Sequence, residues 1–303
     1  MRAFVTGSEG FVGPYLSELL LQEGFDVYGT YLEKPDAIAD INYIKLDVTN
    51  RGDVFEAVSK LKPDFIFHLA GFSSVKASWS NPDLCRKINV DGTRNLLDAV
   101  VNAKINPRIL VVSSAEVYGT PQYTPITEEH LLNPESPYAE SRLQQEQLTL
   151  EYDLDVVVSR SFNHTGPRQP PDFVVPDFAR QIALIEKGVQ KPVLEVGNLD
   201  AVRDFTDVRD MVRAYVMALK KCQPGVYNIC SGVGYSIQEM LELLLSLSDK
   251  EIAFKQIPDK TRSLGVPVLV GDCSKFKRSS SWTPSFPMKK TLSDCLDYWR
   301  QTI

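Results

Sequence analysis

The chain has 303 residues, of which 43% are hydrophobic and 24% are charged, and its formal net charge is -6. This length can bury a large core and suits one α/β unit or two coupled lobes. The negative net charge argues against nucleic acid as a partner. An anionic ligand would therefore need locally placed arginines rather than a general positive field.

Five cysteines are scattered along the chain without a C-x-x-C pair, and their odd number favours free thiols in a reducing compartment. No apolar run approaches the ~20 residues that span a bilayer, and no charged-then-apolar leader precedes the first strand. Three histidines without paired Cys/His spacing give no reason to expect a metal site. These patterns predict a cytoplasmic protein that does not associate with membranes.

The first thirteen residues form the most informative stretch. A short apolar strand, Ala3 to Val5, leads directly into the segment TGSEGFVG, which places Gly7, Gly10 and Gly13 at intervals of three. In a βαβ unit the first glycine makes the tight turn, the second admits a pyrophosphate, and the third lets the helix pack on the sheet. The phosphates then lie against free N–H groups at the helix start, here at Phe11 and Val12. The stretch predicts dinucleotide binding, and the alternative is an ordinary strand–helix turn.

The following segments alternate between strand and helix with short connections. Helical periodicity after Gly13 ends at Gly24, and apolar strands or long helical patterns follow it. The predicted strands are 26–31, 43–46, 64–69, 108–112 and 155–160, and the predicted long helices are 82–103 and 138–152. Continuous apolar strands of this kind are buried on both faces by helices. We therefore expect an α/β fold with a Rossmann-type, doubly wound parallel sheet.

A change of composition marks a domain boundary. Three prolines lie within 166–171, a stretch that continues neither a helix nor a central strand. We predict a dinucleotide-binding domain over 1–165, with return segments at about 197–230. The smaller lobe, over 166–196 and 231–303, is predicted to bind the substrate. It contains a clear helix start, because Ser236 and Glu239 form a capping box.

The adenosine end of the cofactor site is predicted from the ends of two strands. After the second strand the chain offers Glu33 and Lys34. An acid at that place selects NAD, whereas an arginine admits the 2′-phosphate of NADP. Glu33 leans towards NAD, although a solvated strand-end carboxylate is an equal alternative. Asp47 follows the third strand, next to Val48, and is placed to bind the adenine amine.

Three polar residues suggest a proton-transfer site at the carboxyl edge of the sheet. Ser114 follows the fifth strand, Tyr138 opens the next helix, and Arg142 lies one helical turn further on. Hydride addition to a ketone creates an alkoxide that must be protonated as it forms. A nearby cation favours the ionised form of a tyrosine, and a serine hydroxyl can orient the substrate oxygen. The alternative is a surface tyrosine paired with an exposed arginine.

Longer motifs connect these positions. The chain carries, in this order, the segments TGSEGFVG, LDVTN, HLAG, NVDGT, SSAEVYG and SPYAESR. In this it resembles the extended short-chain dehydrogenase/reductase family over essentially its whole length. The segments FNHTGPRQ, DFARQI and GNLDAVRDFTDVRD look most like those of the GDP-4-keto-6-deoxy-D-mannose reductases, which are relatives of the GDP-mannose 4,6-dehydratases.

The resemblance implies an NAD- or NADP-dependent enzyme of nucleotide-sugar metabolism and assigns roles to particular residues. It implies that Ser114 and Tyr138 are catalytic and that the HLAG motif binds cofactor through Leu69, Ala70 and Gly71. It implies a GDP-sugar site formed by Asn163, Arg180, Arg203 and Arg262. Arginines suit a diphosphate because they are planar bidentate donors, although a surface salt bridge is the alternative for each. It also implies a homodimer in which the two long helices form a four-helix bundle.

Three features depart from the family pattern. The family lysine of Y-x-x-x-K is Arg142, which keeps the charge but is longer, planar and always protonated. The late R-P-x-E segment reads RSLG from Arg262 onwards, so a carboxylate is missing, and the second strand lacks the arginine that related reductases place there. The arginine at position 142 bears on the rate of the reaction, and the missing carboxylate bears on the choice of substrate. The absence of an arginine from the second strand bears on the choice of cofactor.

Glu116 leaves the reaction open. Related dehydratases use a glutamate at the matching place to move a proton at the sugar C5, and related reductases can also carry one. Three functions therefore remain: reduction of the C4 ketone of a GDP-4-keto-6-deoxyhexose, dehydration or epimerisation with bound NAD(P), and nucleotide-sugar binding without catalysis. Of the nearby histidines, His164 is expected in a loop close to the site, and His68 is expected to be a hydrogen-bonded core residue.

Overall fold

The computed structural model describes residues 1–33, 38, 40–257 and 266–303. Its strands are β1 Arg2–Thr6, β2 Asp26–Tyr31, β3 Asn42–Lys45, β4 Phe65–His68, β5 Arg108–Ser114, β6 Val156–Ser161, β7 Asn163–Thr165, β8 Val193–Val196, β9 Val202–Asp207, β10 Gly225–Ile229, β11 Gly234–Ser236, β12 Ala253–Gln256 and β13 Val268–Leu269. Its helices are α1 Val12–Gln22, α2 Arg51–Leu61, α3 Val75–Ser80, α4 Pro82–Arg86, α5 Gly92–Asn102, α6 Pro137–Thr149, α7 Val174–Glu186, α8 Val208–Lys221, α9 Ile237–Leu245, α10 Ser274–Ser280 and α11 Met288–Thr302.

A seven-stranded parallel sheet organises the larger part of the chain. Its strand order is β10-β6-β5-β4-β1-β2-β3, and every neighbouring pair is parallel. The chain moves outward in one direction from β1 to β3 and in the other from β4 to β6. This confirms the predicted doubly wound sheet. The reversal lies between β1 and β4, and ligands bind at the carboxyl ends of strands at such a switch point.

Helices cover both faces of this sheet, because successive strand residues point to opposite sides. On β1, Phe4 joins a core cluster with residues of α2 and α5, whereas Val5 joins another with residues of α1 and α8. All residues of β6 are buried. Burial on both faces explains the continuous apolar strands of the sequence.

A second apolar core is built from α7, α9 and α11. Phe178, Leu241 and Leu292 belong to it, together with Phe205 of β9. Strand β9 pairs with β7, β11 and β13, while β12 pairs with β8. The segment that contains α10 packs elsewhere, since Phe276 and Trp282 belong to the core cluster of α1 and α8. The domain boundaries inferred from the sequence stay a prediction.

The predicted long helix over 82–103 is formed by three consecutive segments. Helices α4 and α5 are joined by a π-helical turn, Lys87–Asp91. Within it, Asn89 is fully buried: its side-chain oxygen accepts from Phe72 N–H at 2.8 Å, and its Nδ2 donates to Ser141 Oγ at 2.8 Å. These contacts turn the amide inward, towards the carboxyl edge of the sheet, and π turns of this kind are frequent at functional sites.

Helix starts follow their sequence signals. The capping box at the start of α9 is present, with Ser236 Oγ accepting from Glu239 N–H at 3.0 Å. Helix α6 begins after Ser136, whose hydroxyl accepts from Ala139 N–H, and Pro137 occupies its first turn. In the described part of the chain, every helix is too short or too polar to cross a bilayer.

Candidate active site

The turn between β1 and α1 has the shape that its glycines predict. Gly7 has φ +68°, and a Cβ there would lie 2.8 Å from the backbone N and Cα of Ala70. A Cβ on Gly13 would lie 2.3 Å from Ser8 O, whereas one on Gly10 would meet only Gly7 O at 3.4 Å. The first and third glycines are therefore required by the protein's own backbone, and the exposed second one leaves room for a ligand.

Hydrogen bonds fix this turn against the neighbouring strand ends. Gly7 N–H donates to Thr30 Oγ1 at 3.0 Å, and Ser8 N–H donates to Thr30 O at 2.9 Å. Ala70 N–H donates to Thr6 Oγ1 at 3.2 Å. Leu69, Ala70 and Gly71 are thereby held beside the glycine turn at the switch point of the sheet.

Helix α1 offers an anion site at its start. Its N-cap, Phe11, makes no side-chain capping bond, and the first N–H groups of a helix have no partner within the helix. Together with the helix dipole, these donors suit phosphate. The residues present fit a dinucleotide, as their sequence spacing predicts.

At the adenosine end, the predicted residues lie beside adjacent strand ends. Glu33 is exposed two residues past β2. Asp47 is also exposed and accepts from Thr49 N–H at 2.8 Å, while Val48 is buried with Gly92 close against its side chain. Lys34 lies outside the described residues.

Tyr138 and Arg142 contact each other next to β5, the strand that ends at Ser114. Ser114 is buried at the strand end, where its Oγ accepts from Glu116 N–H at 3.2 Å. Tyr138 is 8% exposed, and its N–H donates to Ser78 Oγ at 3.2 Å. The Arg142 guanidinium carbon lies 5.3 Å from the centre of the Tyr138 ring. The predicted helical pairing is thus present in a buried position rather than on a wet surface.

The Arg142 head group is held by backbone carbonyls. Nη1 donates to Val112 O at 2.9 Å and to Gln145 Oε1 at 3.0 Å, and Nη2 donates to Phe72 O at 3.4 Å. A Cβ on Gly71 would lie 2.6 Å from Nη2, so glycine is needed there for the guanidinium to pass. The Nε is buried and has no hydrogen-bond partner among the described residues.

A series of buried hydrogen bonds connects Arg142 to the glycine turn. Gln145 Nε2 donates to Thr93 Oγ1 at 2.7 Å, and the Thr93 hydroxyl donates to Asn89 O at 2.7 Å. Because the Thr93 hydroxyl proton is used in that bond, the contact of 3.0 Å between Thr93 Oγ1 and His68 Nε2 requires the proton to be on Nε2. Nδ1 of His68 then accepts from the Thr6 hydroxyl at 2.7 Å.

Burial and the positive charge of Arg142 lower the pKa of His68 to about 3, so its ring is neutral at physiological pH. His68 is the hydrogen-bonded core histidine that the sequence predicts. The sequence patterns assign no role to Gln145 or to Thr93, the last residue of the NVDGT segment. The local signal for Gln145 is its position three residues after Arg142, on the same side of the helix.

The predicted substrate residues lie on neighbouring elements. Asn163 of β7 pairs in register with Phe205 of β9. Arg203 is two residues before Phe205, so it lies on the same face of this sheet as Asn163. Arg180 is exposed on α7, a helix that shares an apolar core with Phe205. Arg262 lies outside the described residues.

Two further residues border this region. His164, expected in a loop, lies in β7, and its ring stacks on Phe11 of the glycine turn with centroids 6.1 Å apart. Burial lowers its pKa. Glu116 is half-buried in the 3₁₀ turn Ala115–Tyr118, directly after Ser114. The glycine turn, the Ser114 strand end and β7 thus converge on one edge.

A family model described as GDP-mannose 4,6 dehydratase matches residues 4–295. The chain belongs to this family. The GDP-mannose 4,6-dehydratase family lies within the extended short-chain dehydrogenase/reductases that the motifs indicate, so the predicted family is confirmed, and with it an NAD(P)-dependent type of enzyme.

Two curated relatives match nearly the whole chain. The GDP-6-deoxy-D-mannose reductase of Pseudomonas aeruginosa is 34% identical over 100% of this chain and 98% of its own length. The GDP-6-deoxy-D-talose 4-dehydrogenase of Aggregatibacter actinomycetemcomitans is 32% identical over 91% of this chain and 90% of its own. Both names describe enzymes that act on a GDP-linked 6-deoxy sugar.

Solved structures agree with the fold over its full length. RMD from Pseudomonas aeruginosa complexed with NADPH matches with a TM-score of 0.88 at 32% identity, over 100% of this chain and 99% of that one. The UDP-glucose 4-epimerase of Thermus thermophilus in complex with NAD matches with a TM-score of 0.89 at 26% identity, over 100% of both chains. These neighbours support a nicotinamide cofactor, with NADPH in one and NAD in the other.

Proposed function

We propose that the protein reduces the C4 ketone of a GDP-4-keto-6-deoxyhexose with NADH or NADPH. The observation that carries this proposal is the buried grouping of Ser114, Tyr138 and Arg142 beside the glycine turn, in a chain 34% identical to a GDP-6-deoxy-D-mannose reductase. Such a grouping can deliver a proton where a ketone becomes an alcohol.

Each residue has a separate role. The reduced nicotinamide, when bound, supplies the hydride that adds to C4. Tyr138 donates its phenolic proton to the ketone oxygen, so that the product is a neutral alcohol and a tyrosinate remains. Ser114 donates a hydrogen bond that orients the same oxygen. The positive charge of Arg142, 5.3 Å from the Tyr138 ring, stabilises that tyrosinate, and we assign the same guanidinium to the cofactor ribose.

The remaining predicted residues complete the two binding sites. We assign the cofactor to Gly7, Gly10, Phe11, Val12 and Gly13, with the adenosine near Glu33, Asp47 and Val48 and the nicotinamide near Leu69, Ala70 and Gly71. We assign the GDP-sugar to Asn163, Arg180, Arg203 and Arg262. The common sheet face of Asn163 and Arg203 and the exposure of Arg180 support this assignment.

The proposal is tested with purified protein, the ketosugar and each reduced cofactor. We expect loss of reduced-cofactor absorbance and formation of a GDP-6-deoxyhexose. If neither cofactor is oxidised at high enzyme concentration, the reductase assignment is wrong.

Dehydration or epimerisation is the second candidate, because Glu116 is half-buried two residues after Ser114. A base at that place would exchange the C5 proton of the sugar. Incorporation of solvent deuterium at C5, without net oxidation of added cofactor, would favour it over reduction. Tight binding of both ligands without turnover, unrepaired by Arg142→Lys, would favour a non-catalytic binding protein instead.

The same proposal includes a homodimer formed through α4–α5 and α6. Apolar side chains remain exposed at the ends of these helices, with Leu150 81% and Val101 49% exposed. Covering such residues with a second copy would bury them in an isologous interface. We expect light scattering to give twice the 34.0 kDa mass of the chain.

A matched pair of variants tests the interface. Replacing Val101 and Leu150 together with glutamate should shift the mass towards that of a monomer, because it places charge in an apolar contact. Val189→Glu is the control, since Val189 is 71% exposed in the turn after α7 and remote from these helices in sequence. A monomeric wild-type mass contradicts the dimer.

We also place the protein in the cytoplasm, without nucleic-acid or membrane partners. All five cysteines are free and buried, as is usual where thiols stay reduced. The net charge of -6 disfavours polyanions. Fractionation of cells that express the tagged chain tests this location.

A further inference from the structure

Glu9 is a carboxylate within the glycine turn that the proposed reaction does not use. Its Oε1 accepts from Leu32 N–H at 3.0 Å, immediately past the end of β2. Its Oε2 is shielded from water, and no described residue donates a hydrogen bond to it. A buried acceptor without a donor is costly, and this cost is relieved if the carboxylate turns Oε2 towards a hydroxyl that a ligand places at this strand end.

The position of Glu9 follows from the local fold. Thr30 of β2 accepts three hydrogen bonds from the turn: Gly7 N–H donates to its Oγ1, and both the N–H and the hydroxyl of Ser8 donate to its carbonyl oxygen. Gly29 permits this contact, because a Cβ there would lie 2.5 Å from Ser8 Oγ. The next residue of the turn, Glu9, is therefore held against the carboxyl end of β2, where a dinucleotide places its adenosine ribose.

The strand end itself supplies an aromatic residue rather than an acid. β2 ends at Tyr31, whose ring contacts Tyr43 edge-on at 6.2 Å. Glu33, the acid suggested by the sequence, is exposed and two residues further on. The carboxylate that contacts the strand end is that of Glu9, which reaches it from the glycine turn.

The geometry points to Glu9 as the residue that selects NAD(H) over NADP(H). Its carboxylate can accept a hydrogen bond from the ribose 2′-hydroxyl of NADH, whereas it repels the negatively charged 2′-phosphate of NADPH. Because like charges close together in a partly buried site are poorly screened, the discrimination should be large. This inference rests on the dinucleotide site of the proposed function, and not on which sugar is turned over.

Direct binding measurements on the full chain test it. We expect wild-type protein to bind NADH at least tenfold more tightly than NADPH in titrations followed by cofactor fluorescence. Glu9→Gln keeps an oxygen that can accept from Leu32 N–H and removes only the charge. It should lower the NADH/NADPH affinity ratio at least fivefold, mainly through tighter NADPH binding. Higher salt should reduce the wild-type ratio and leave the variant ratio almost unchanged.

Three further variants make the test specific. Glu18→Gln removes the same charge from an exposed site on α1, where Glu18 pairs with Arg168 at 3.0 Å, and should leave the ratio unchanged. Glu33→Gln and Lys34→Ala examine the other charged residues after β2. The inference is overturned if wild type prefers NADPH, or if Glu9→Gln leaves the ratio unchanged, whatever Glu33→Gln and Lys34→Ala do.

The outcome is separable from that of the proposed function. Selective NADH binding without ketosugar turnover would reject the reductase and keep the role of Glu9. Ketosugar turnover with an unaltered cofactor preference in Glu9→Gln would support the reductase and reject the role of Glu9. Melting temperatures of all variants show whether any loss of binding comes from unfolding.

Discussion

Replacing Tyr138 with phenylalanine is expected to lower kcat for ketone reduction by about 10²- to 10⁴-fold, the usual contribution of a positioned proton donor. The substitution removes one hydroxyl and leaves the ring that lies beside Arg142 in place. The backbone N–H bond from residue 138 to Ser78 is also independent of the hydroxyl. Cofactor affinity and melting temperature should therefore stay close to the wild-type values.

Tyr28→Phe is the matched control, because it deletes a hydroxyl that, among the described residues, bonds only the exposed Asp26 carboxylate, at 3.0 Å. Its kcat should be unchanged. If Tyr138→Phe retains wild-type turnover while the cofactor still binds, proton delivery by Tyr138 is wrong.

The effect of Arg142 depends on contacts that no local pattern reveals. The sequence spacing correctly predicts that Tyr138 and Arg142 share a helical face. It does not show that the guanidinium donates to Val112 O and Phe72 O, since those carbonyls are 30 and 70 residues away in the chain. The hydrogen bonds that link Gln145, Thr93 and His68 are likewise not revealed by any local pattern. Long-range polar contacts of this kind follow from the tertiary fold alone.

The seven-stranded sheet is more predictable from the sequence than the short strands that pair with β9. Its strands are continuous apolar runs separated by helices, so periodicity alone indicates them. Strand β7 has three residues and β13 has two, and each is defined by pairing with β9 rather than by its own sequence. The sequence predicts a loop at His164, whereas this residue lies in β7. The π turn at Asn89 is likewise set by contacts with Phe72 and Ser141, not by helical periodicity.

Within the glycine turn, Gly13 lies against the backbone of Ser8, and this contact gives the second strong prediction. Gly13→Ala should weaken cofactor binding by more than tenfold and destabilise the fold by about 1–3 kcal/mol, the usual cost of overpacking. The added Cβ would lie 2.3 Å from Ser8 O and 2.5 Å from Ser8 C and Cα. Because these are backbone atoms, no change of rotamer can relieve the clash, and the turn must open.

Gly52→Ala provides the comparison for this variant. Gly52 lies in the first turn of α2, where the nearest atom to a new Cβ is Asn50 Oδ1 at 3.5 Å, an ordinary contact. Alanine there should be neutral or stabilise the protein by up to about 1 kcal/mol, because it restricts the unfolded chain. Thermal unfolding and NADH titration of both variants separate the two cases. Undiminished cofactor binding by Gly13→Ala would show that the turn does not hold the pyrophosphate, since the same backbone that clashes with the methyl group shapes that site.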